Sequence, residues 1–158
     1  MVTEITKNRV AFEHYEGDTS DLVAYEEITG HFIFDVKMSD NFRRKARFVA
    51  DGNLVENPAS ITYSTLVSRE SIRILLLVAA LNDLEILGTD VQHAFLSADN
   101  LEQNWIRAGP EFGAEQRKLL IVIRALHGLK SASAAFRYFM AKKLYEIGFK
   151  SSSSDPDV

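Results

Sequence analysis

An alternating pattern between residues 31 and 50 constrains the fold of this chain more than any other feature. The first run alternates the polar residues His31, Asp35 and Lys37 with the apolar residues Phe32, Phe34, Val36 and Met38. Alternation with a period of two is typical of a strand with one buried face. Residues 39–41 are predicted to form a turn, and residues 43–50 a second strand. The pattern therefore predicts an antiparallel hairpin.

The second strand of this hairpin is basic. Its cations are Arg43, Arg44, Lys45 and Arg47. Arginine and lysine at such spacing can bind phosphate groups. Charged side chains on an edge strand also protect a protein from aggregation, and this role is at least as common. Both interpretations stay open at this point.

Two other segments have helical spacing. Ser68 is a good N-cap for a helix over about 69–81, and the apolar residues of that helix lie on both of its sides. We therefore predict that it is buried nearly all round. A second helix is predicted over about 133–147, with a single apolar stripe, Ser133 at its start and Gly148 as its stop.

Three apolar runs predict short strands. They are residues 84–89, the pair Trp105 and Ile106, and residues 119–123. The third run is entirely apolar, which is typical of a central strand covered on both faces. The chain is therefore predicted to contain both helices and strands.

Asp90 directly follows the first of these runs, so its carboxylate is predicted to be held at a strand end while it stays reachable. Mg²⁺ is typically bound by one or two protein carboxylates, and water and substrate phosphates complete its shell. An aspartate after a strand also often caps the next turn or helix. Residues 89–96 alone leave metal binding and capping both open.

Composition excludes several classes of site and of protein. The chain of 158 residues has no cysteine, and its four histidines are scattered without zinc-ligand spacing. The longest apolar run, residues 74–81, is far shorter than the roughly 20 residues of a membrane helix. The chain also begins without a basic, apolar leader. We therefore expect an intracellular, soluble protein that does not enter a membrane.

Charge is distributed unevenly along the chain. The net charge is −4, but residues 1–30 carry seven acidic and two basic side chains, whereas residues 31–50 carry five basic and two acidic ones. The positive segment is local, so the long-range field that attracts polyanions is predicted to be weak. Residues 1–28 are predicted to be an acidic, partly mobile N-terminal arm, and residues 29–158 one domain.

In their order along the chain, the segments resemble the reverse transcriptase domain of copia-type LTR retrotransposons. Residues 31–37 and 44–50 resemble its fingers hairpin, and residues 68–73 resemble the head of its buried helix. Thr-Asp-Val-Gln-His-Ala-Phe-Leu at 89–96 resembles polymerase motif A. Arg-Ala-Leu-His-Gly-Leu-Lys-Ser at 124–131 resembles the Leu-Tyr-Gly-Leu-Lys-Gln signature of motif B, and residues 154–156 resemble a later family segment.

The resemblance implies roles for residues in motif A. Asp90 matches the aspartate that ligates both catalytic metals, and the carbonyl group of Val91 would contact the second ion. Phe95 matches the aromatic residue beneath the incoming sugar, where its bulk rejects a ribose 2′-hydroxyl. A plain core phenylalanine is the alternative for Phe95.

The resemblance also implies roles outside motif A. Lys45 and Arg47 match fingers cations that grip the triphosphate, with a solvated strand face as the alternative. The motif B turn would pack against the template base and the incoming nucleotide through His127, Gly128 and Lys130. A tight structural turn before a helix is the equal alternative for these three.

For the whole chain, the family implies an α+β fold of the right-hand polymerase type, with fingers and a partial palm that is truncated before the aromatic-x-Asp-Asp hairpin. The enzyme would be an RNA-directed DNA polymerase that uses Mg²⁺, dNTPs and a template-primer of RNA or DNA. It would also need the remaining palm, thumb and RNase H portions of a Pol polyprotein. The family works in cytoplasmic virus-like particles, so a cytoplasmic location is expected, with the nucleus as a further possibility.

Two features of the sequence depart from the family. Ser133 and His127 stand where relatives commonly have proline and tyrosine, and serine can still start a helix. The second catalytic motif, aromatic-x-Asp-Asp, is expected only beyond Val158. Asp155 and Asp157 are interpreted as turn formers and not as its substitutes. We therefore expect no polymerase activity from this chain alone.

Two alternatives to a polymerase fragment stay open. The chain could be a non-catalytic module of a decayed or domesticated element that binds nucleic acid or protein through the basic hairpin. It could also have no retained activity, with exposed apolar edges that favour self-association.

Overall fold

A computed structural model describes residues 8–38, 42–54 and 62–157. Residues 30–50 form the predicted hairpin, with β3 (Gly30–Lys37) antiparallel to β4 (Arg43–Ala50). The predicted turn at 39–41 and the connection at 55–61 lie outside the described residues. The hairpin rests on the core through aromatic rings, since Phe48 makes edge contacts with Phe12, Phe32 and Phe112.

A four-stranded sheet forms the second layer of structure, in the order β1 (Phe12–Tyr15), β6 (Leu119–Val122), β5 (Asn104–Arg107), β2 (Glu26–Glu27). Its two inner strands, β5 (Asn104–Arg107) and β6 (Leu119–Val122), are antiparallel and lie where apolar runs predict strands. β6 has a neighbour on each side, so its central position is confirmed. Leu120 and Val122 are buried beneath it.

Residues 8–28 supply both outer strands of this sheet. β1 (Phe12–Tyr15) pairs antiparallel with β6, and β2 (Glu26–Glu27) pairs in parallel with β5. This segment shows no periodicity in the sequence, because such short edge strands are defined by their partners. It is also held by side-chain contacts, since Arg9 and His14 both contact the buried carboxylate of Glu115. The predicted boundary at residue 28, between an N-terminal arm and the domain, stays a prediction.

The first helix, α1 (Arg69–Leu81), has the predicted bounds. Ser68 is its N-cap and accepts a hydrogen bond from the Ser71 amide at 2.9 Å. The prediction that it is buried nearly all round is wrong, because only Ala79 is buried. The large apolar residues between positions 72 and 78 are 44–60% exposed. Hydrophobic residues on both sides of a helix show that both sides can be buried. Burial also requires other elements that pack against them.

The second helix, α2 (Ala132–Glu146), begins one residue earlier than predicted. Its N-cap is Ser131 and not Ser133, and the buried carboxylate of Glu102 accepts a hydrogen bond from the Ser131 amide at 2.8 Å. Gly148, at φ +96°, ends the helix as predicted. The Gly148 amide bonds to the Tyr145 carbonyl and the Phe149 amide to the Leu144 carbonyl, which is a Schellman motif.

The core lies between the sheet, the base of the hairpin and the first half of α2. Five short 3₁₀ helices connect the described elements: Arg9–Ala11, Thr19–Asp21, Gly52–Leu54, Ala94–Ser97 and Pro110–Glu115. The buried core includes Ile28, Phe48, Ala50, Ile106, Leu120, Val122, Leu126, Leu129 and Ala135. No helix of the described residues is long and apolar enough to cross a membrane. The fold is a small mixed arrangement of helices and sheets.

Candidate active site

Asp90 lies on an exposed segment and not at the end of a strand. Residues 84–91 form no strand and are exposed throughout, so the predicted strand at 84–89 is wrong. Leu84, Ile86 and Leu87 are 59%, 64% and 88% exposed. A strand needs a neighbour for its backbone hydrogen bonds, and the described sheet ends at β1 and β2 without including this segment.

The described residues do not fit a Mg²⁺ centre. No group of three or more His, Cys, Asp or Glu side chains within residues 8–38, 42–54 and 62–157 could hold a metal ion. Asp90 offers one exposed carboxylate, with Val91 beside it. Two-metal phosphoryl transfer requires carboxylates from more than one element around ions about 4 Å apart.

Phe95 and His127 are in contact although they are distant in sequence. The 3₁₀ helix Ala94–Ser97 presents Phe95, whose ring centroid is 4.7 Å from that of His127 in an edge arrangement. The ring of Phe136 on α2 also contacts Phe95 edge-on, at a centroid distance of 6.3 Å. The segments that resemble motifs A and B therefore meet at one aromatic junction. Phe95 is half-buried there, which fits both a core residue and a residue with one accessible face.

A small cavity lies beside this junction. It is about 30 Å³ in volume and is lined by Asn8, His93, Phe95, Leu96, Ala125, Leu126 and His127. Pockets for small organic ligands typically occupy about 300–1,000 Å³, so a nucleotide does not fit inside it. The side-chain nitrogen of Asn8 is buried there without a hydrogen-bond partner among the described residues. Asn8 comes from the acidic segment, and nothing in its sequence context marks it.

The turn at His127-Gly128 is attached directly to the end of the basic hairpin. The Ala50 amide donates a hydrogen bond to the His127 carbonyl at 2.7 Å. Gly128 has φ +94°, and a Cβ atom there would overlap with the Ala50 carbonyl oxygen. A Cβ atom at Gly52 would likewise overlap with the Gly128 carbonyl oxygen. Two glycines thus allow the backbones of the hairpin and the turn to touch.

The hairpin cations lie along β4 from this attachment point. Lys45 and Arg47 share one face of the strand, opposite to the face on which Phe48 enters the core. At about 3.3 Å per residue, Arg47 and Lys45 lie about 10 Å and about 17 Å from Ala50 along the strand. Both side chains are half-buried. Lys130 is also half-buried and lies next to Ser131, the N-cap of α2.

Asp51 is a residue at this junction that the sequence does not single out. Its carboxylate accepts hydrogen bonds from the Thr29 hydroxyl at 2.6 Å and from Nδ1 of His31 at 2.7 Å. It therefore ties the start of β3 to the end of β4. The only local signal is its position in an Asp-Gly-Asn turn, which predicts a turn and not these partners.

Comparison with known proteins decides the family. The model of the family described as reverse transcriptase (RNA-dependent DNA polymerase) matches residues 21–156. The chain belongs to this reverse transcriptase family. It is 31% identical over 122 residues to the truncated transposon Ty1-A Gag-Pol polyprotein of Saccharomyces cerevisiae. It is 34% identical over 121 residues to the retrovirus-related Pol polyprotein from transposon RE1 of Arabidopsis thaliana.

The coverage of these alignments differs between the chain and its relatives. They include 74% and 73% of this chain, but 10% of the yeast polyprotein and 8% of the Arabidopsis one. The chain thus spans about a tenth of the length of the curated relatives it matches. No solved structure matches it. The resemblance to copia-type reverse transcriptases is confirmed, whereas the roles of Asp90, Phe95 and the other site residues stay predictions.

Proposed function

We propose that this reverse transcriptase chain supplies the fingers hairpin and the first part of the palm of an RNA-directed DNA polymerase. The observation that carries the proposal is the attachment of the His127-Gly128 turn to Ala50 on one side and to Phe95 on the other. Residues that are 32–78 positions apart in sequence meet at this point. A nucleotide on the outer surface of the junction would lie within reach of the hairpin cations.

Each side chain has a distinct task in this proposal. Lys45 and Arg47 bind the triphosphate, the lysine as a point charge and the arginine as a planar fork. The edge of Phe95 limits the space beneath the sugar. The rigid turn at Gly128 supports the template base and the incoming base, and Lys130 adds a positive charge at the same end of α2.

Metal binding is proposed only at the level of the family. Polymerases of this kind use divalent metal ions to stabilise the attacking and leaving oxygens. Asp90 is the carboxylate that the motif provides, but the described residues bring no second and third ligand to it. We therefore propose that residues 1–158 alone do not assemble the metal centre.

The first prediction concerns catalysis by the isolated chain. Purified residues 1–158 are expected to extend no primer on an RNA template with either Mg²⁺ or Mn²⁺, because a single exposed carboxylate cannot hold two ions in place. Extension is measured on a denaturing gel beside an Asp90→Asn variant. Extension by the unmodified chain that disappears in Asp90→Asn would refute the prediction.

The second prediction concerns binding by the hairpin. The chain is expected to bind a primer-template duplex weakly, with an affinity that falls steeply as salt rises. Each cation that contacts phosphate contributes about one unit to the slope of log affinity against log salt, so Lys45→Gln with Arg47→Gln should reduce that slope by about two. Fluorescence anisotropy across a salt series measures both quantities.

A matched control distinguishes phosphate contacts of the hairpin cations from an effect of the net charge of the chain. Lys118→Gln with Lys150→Gln removes the same number of positive charges from exposed positions outside the hairpin. This control is expected to leave the slope nearly unchanged. Equal slopes for the two double variants, or binding that does not depend on salt, would contradict phosphate binding by Lys45 and Arg47. Binding without primer extension would favour the non-catalytic nucleic-acid-binding module over an autonomous enzyme.

A further inference from the structure

Helix α1 has little tertiary packing to hold it. Its large apolar side chains are exposed, and Ala79 is its single buried residue. The packing that normally fixes the direction of an amphipathic helix is therefore nearly missing within the described chain. Another contact must set the direction in which its first turn points.

That contact comes from the polar segment near the other end of the chain. Asp155 accepts a hydrogen bond from the Ser68 amide at 3.1 Å and another from the Ser71 hydroxyl at 2.5 Å. These partners are 87 and 84 residues away in sequence. A carboxylate at the first turn of a helix satisfies free amide groups and interacts favourably with the helix dipole.

The hydrogen bonds at this end of α1 form a closed chain with a single consistent direction. The Ser71 hydroxyl has one proton and gives it to Asp155, so in the 2.8 Å contact between the two serine hydroxyls Ser68 must be the donor. The Ser68 hydroxyl in turn accepts from the Ser71 amide at 2.9 Å. Every polar group of the two serine side chains is thereby used, and such chains reinforce one another.

The carboxylate itself is held in position from its far side. The other oxygen of Asp155 accepts the Asp157 amide at 3.1 Å, and Asp157 forms an ion pair with Nε of Arg137 on α2 at 2.5 Å. The first turn of α1 is thus connected to α2 through Asp155, Asp157 and Arg137. The interpretation of the two aspartates as turn formers is confirmed by the bond between them, and the contact with α1 adds a second role.

The ionisation of Asp155 agrees with this geometry. The hydrogen bonds from the Ser71 hydroxyl and the Ser68 amide lower the pKa of Asp155. A carboxyl group with a lowered folded-state pKa stabilises the fold above its unfolded pKa of about 3.9, and this contribution is lost as the pH falls through the lowered value. The Asp157 amide lowers the pKa of Asp155 further, whereas partial loss of hydration raises it. At neutral pH the carboxylate is charged and accepts all three hydrogen bonds.

We propose that Asp155 is a positioning residue for helix α1, acting through Ser68 and Ser71. The opposite end of α1 leads into the exposed segment that carries Asp90, so the direction of this helix sets where that segment starts. The inference goes beyond the proposed polymerase function, because it concerns how the chain holds one helix and can be tested without nucleic acid or metal.

Amide hydrogen exchange by NMR on the full chain at pH 7 tests this role. Asp155→Ala is expected to raise the exchange rate of the Ser68 amide and of the first turn of α1 by about five-fold, a typical effect of losing a helix cap. The amides of β5 and β6 serve as an internal reference and should be unchanged. Asp83→Asn removes the same charge just beyond the other end of α1 and is expected to have no effect on the first turn.

Two further variants distinguish positioning through the serines from a general loss of structure. Asp155→Asn keeps one acceptor oxygen and should give an intermediate exchange rate. Ser71→Ala should speed exchange as well, and combining it with Asp155→Ala should add little, because both changes break the same hydrogen bond. The proposal would be overturned if the rate increases of Ser71→Ala and Asp155→Ala multiply in the double variant. It would also be overturned if Asp155→Ala and Asp83→Asn give equal exchange rates, or if Asp155→Ala removes the protection of the β5 and β6 amides.

Discussion

Replacing Gly128 with alanine is expected to lower the free energy of unfolding by about 2–5 kcal/mol, the sum of left-handed backbone strain and overpacking. Gly128 has φ +94°, a region that costs residues with a side chain about 1–2 kcal/mol. A Cβ atom there would also overlap with the Ala50 carbonyl oxygen and lie 2.9 Å from Cγ1 of Val49. Backbone at the base of the hairpin must therefore move, and urea denaturation monitored by circular dichroism measures the loss.

Gly148 provides a matched control for this variant. It has nearly the same φ, +96°, but a Cβ atom would meet nothing within 4 Å. Gly148→Ala is therefore expected to cost only the backbone strain of about 1–2 kcal/mol. If the two alanine variants lose equal stability, the close approach of the turn to Ala50 does not exist in solution. The difference between their losses of stability measures the cost of the overlap with Ala50, where the hairpin meets the turn.

The second large effect is expected from Leu126→Ala, which should cost about 2–5 kcal/mol, as other truncations of buried leucine do. Leu126 is 1% exposed and lies directly before His127 in the motif B segment. It also lines the small cavity beside Phe95. Removing its side chain enlarges that cavity, and the well-packed residues around it can collapse only partly. The shift in urea midpoint at constant m value reports the change.

Leu87→Ala is the matched control for the leucine truncation. Leu87 is 88% exposed on the segment before Asp90, and its loss should change stability by less than about 0.5 kcal/mol. If Leu126→Ala proves as mild as Leu87→Ala, then Leu126 is not a core residue and the junction between motifs A and B is loosely packed. If Leu87→Ala proves costly, the segment before Asp90 is buried in solution.

The elements that sequence reasoning found are those with strong local signals. The hairpin of β3 and β4, the bounds of α1, the central strand β6 and the stop at Gly148 all follow from periodicity or from a capping residue. Such signals depend on residues within one or two turns of each other. Strands β1 and β2 have four and two residues. They exist because they pair with β6 and β5, so nothing within their own sequence indicates them.

The sequence does not show which apolar segments are buried. The apolar composition of α1 and of residues 84–89 indicates that these segments can be covered, but in the described chain they are exposed. Burial is a property of a pair of surfaces, and one sequence segment specifies only one of them. The predicted strand before Asp90 fails for the same reason, because no strand of the described residues lies beside its backbone.

The sequence indicated some residues of the candidate site and missed others. Motif patterns and the family resemblance indicated Asp90, Phe95, Lys45, Arg47 and the turn at 127–130, and the family itself is confirmed. They did not indicate Asn8 in the cavity, Asp51 at the base of the hairpin, or Glu102 at the start of α2. Each of these three residues contacts residues at least 20 positions away, so the sequence around it does not predict its contacts.

The sequence by itself determined the family of this protein, its hairpin and the bounds of α1, because collinear motifs, alternation and caps are local properties. Only the tertiary structure decided that Phe95 meets His127, that Gly128 touches Ala50, and that Asp155 holds the first turn of α1. These contacts join backbone and side-chain groups 32–84 residues apart. Their formation depends on how the elements pack together, and no pattern within a single element encodes that.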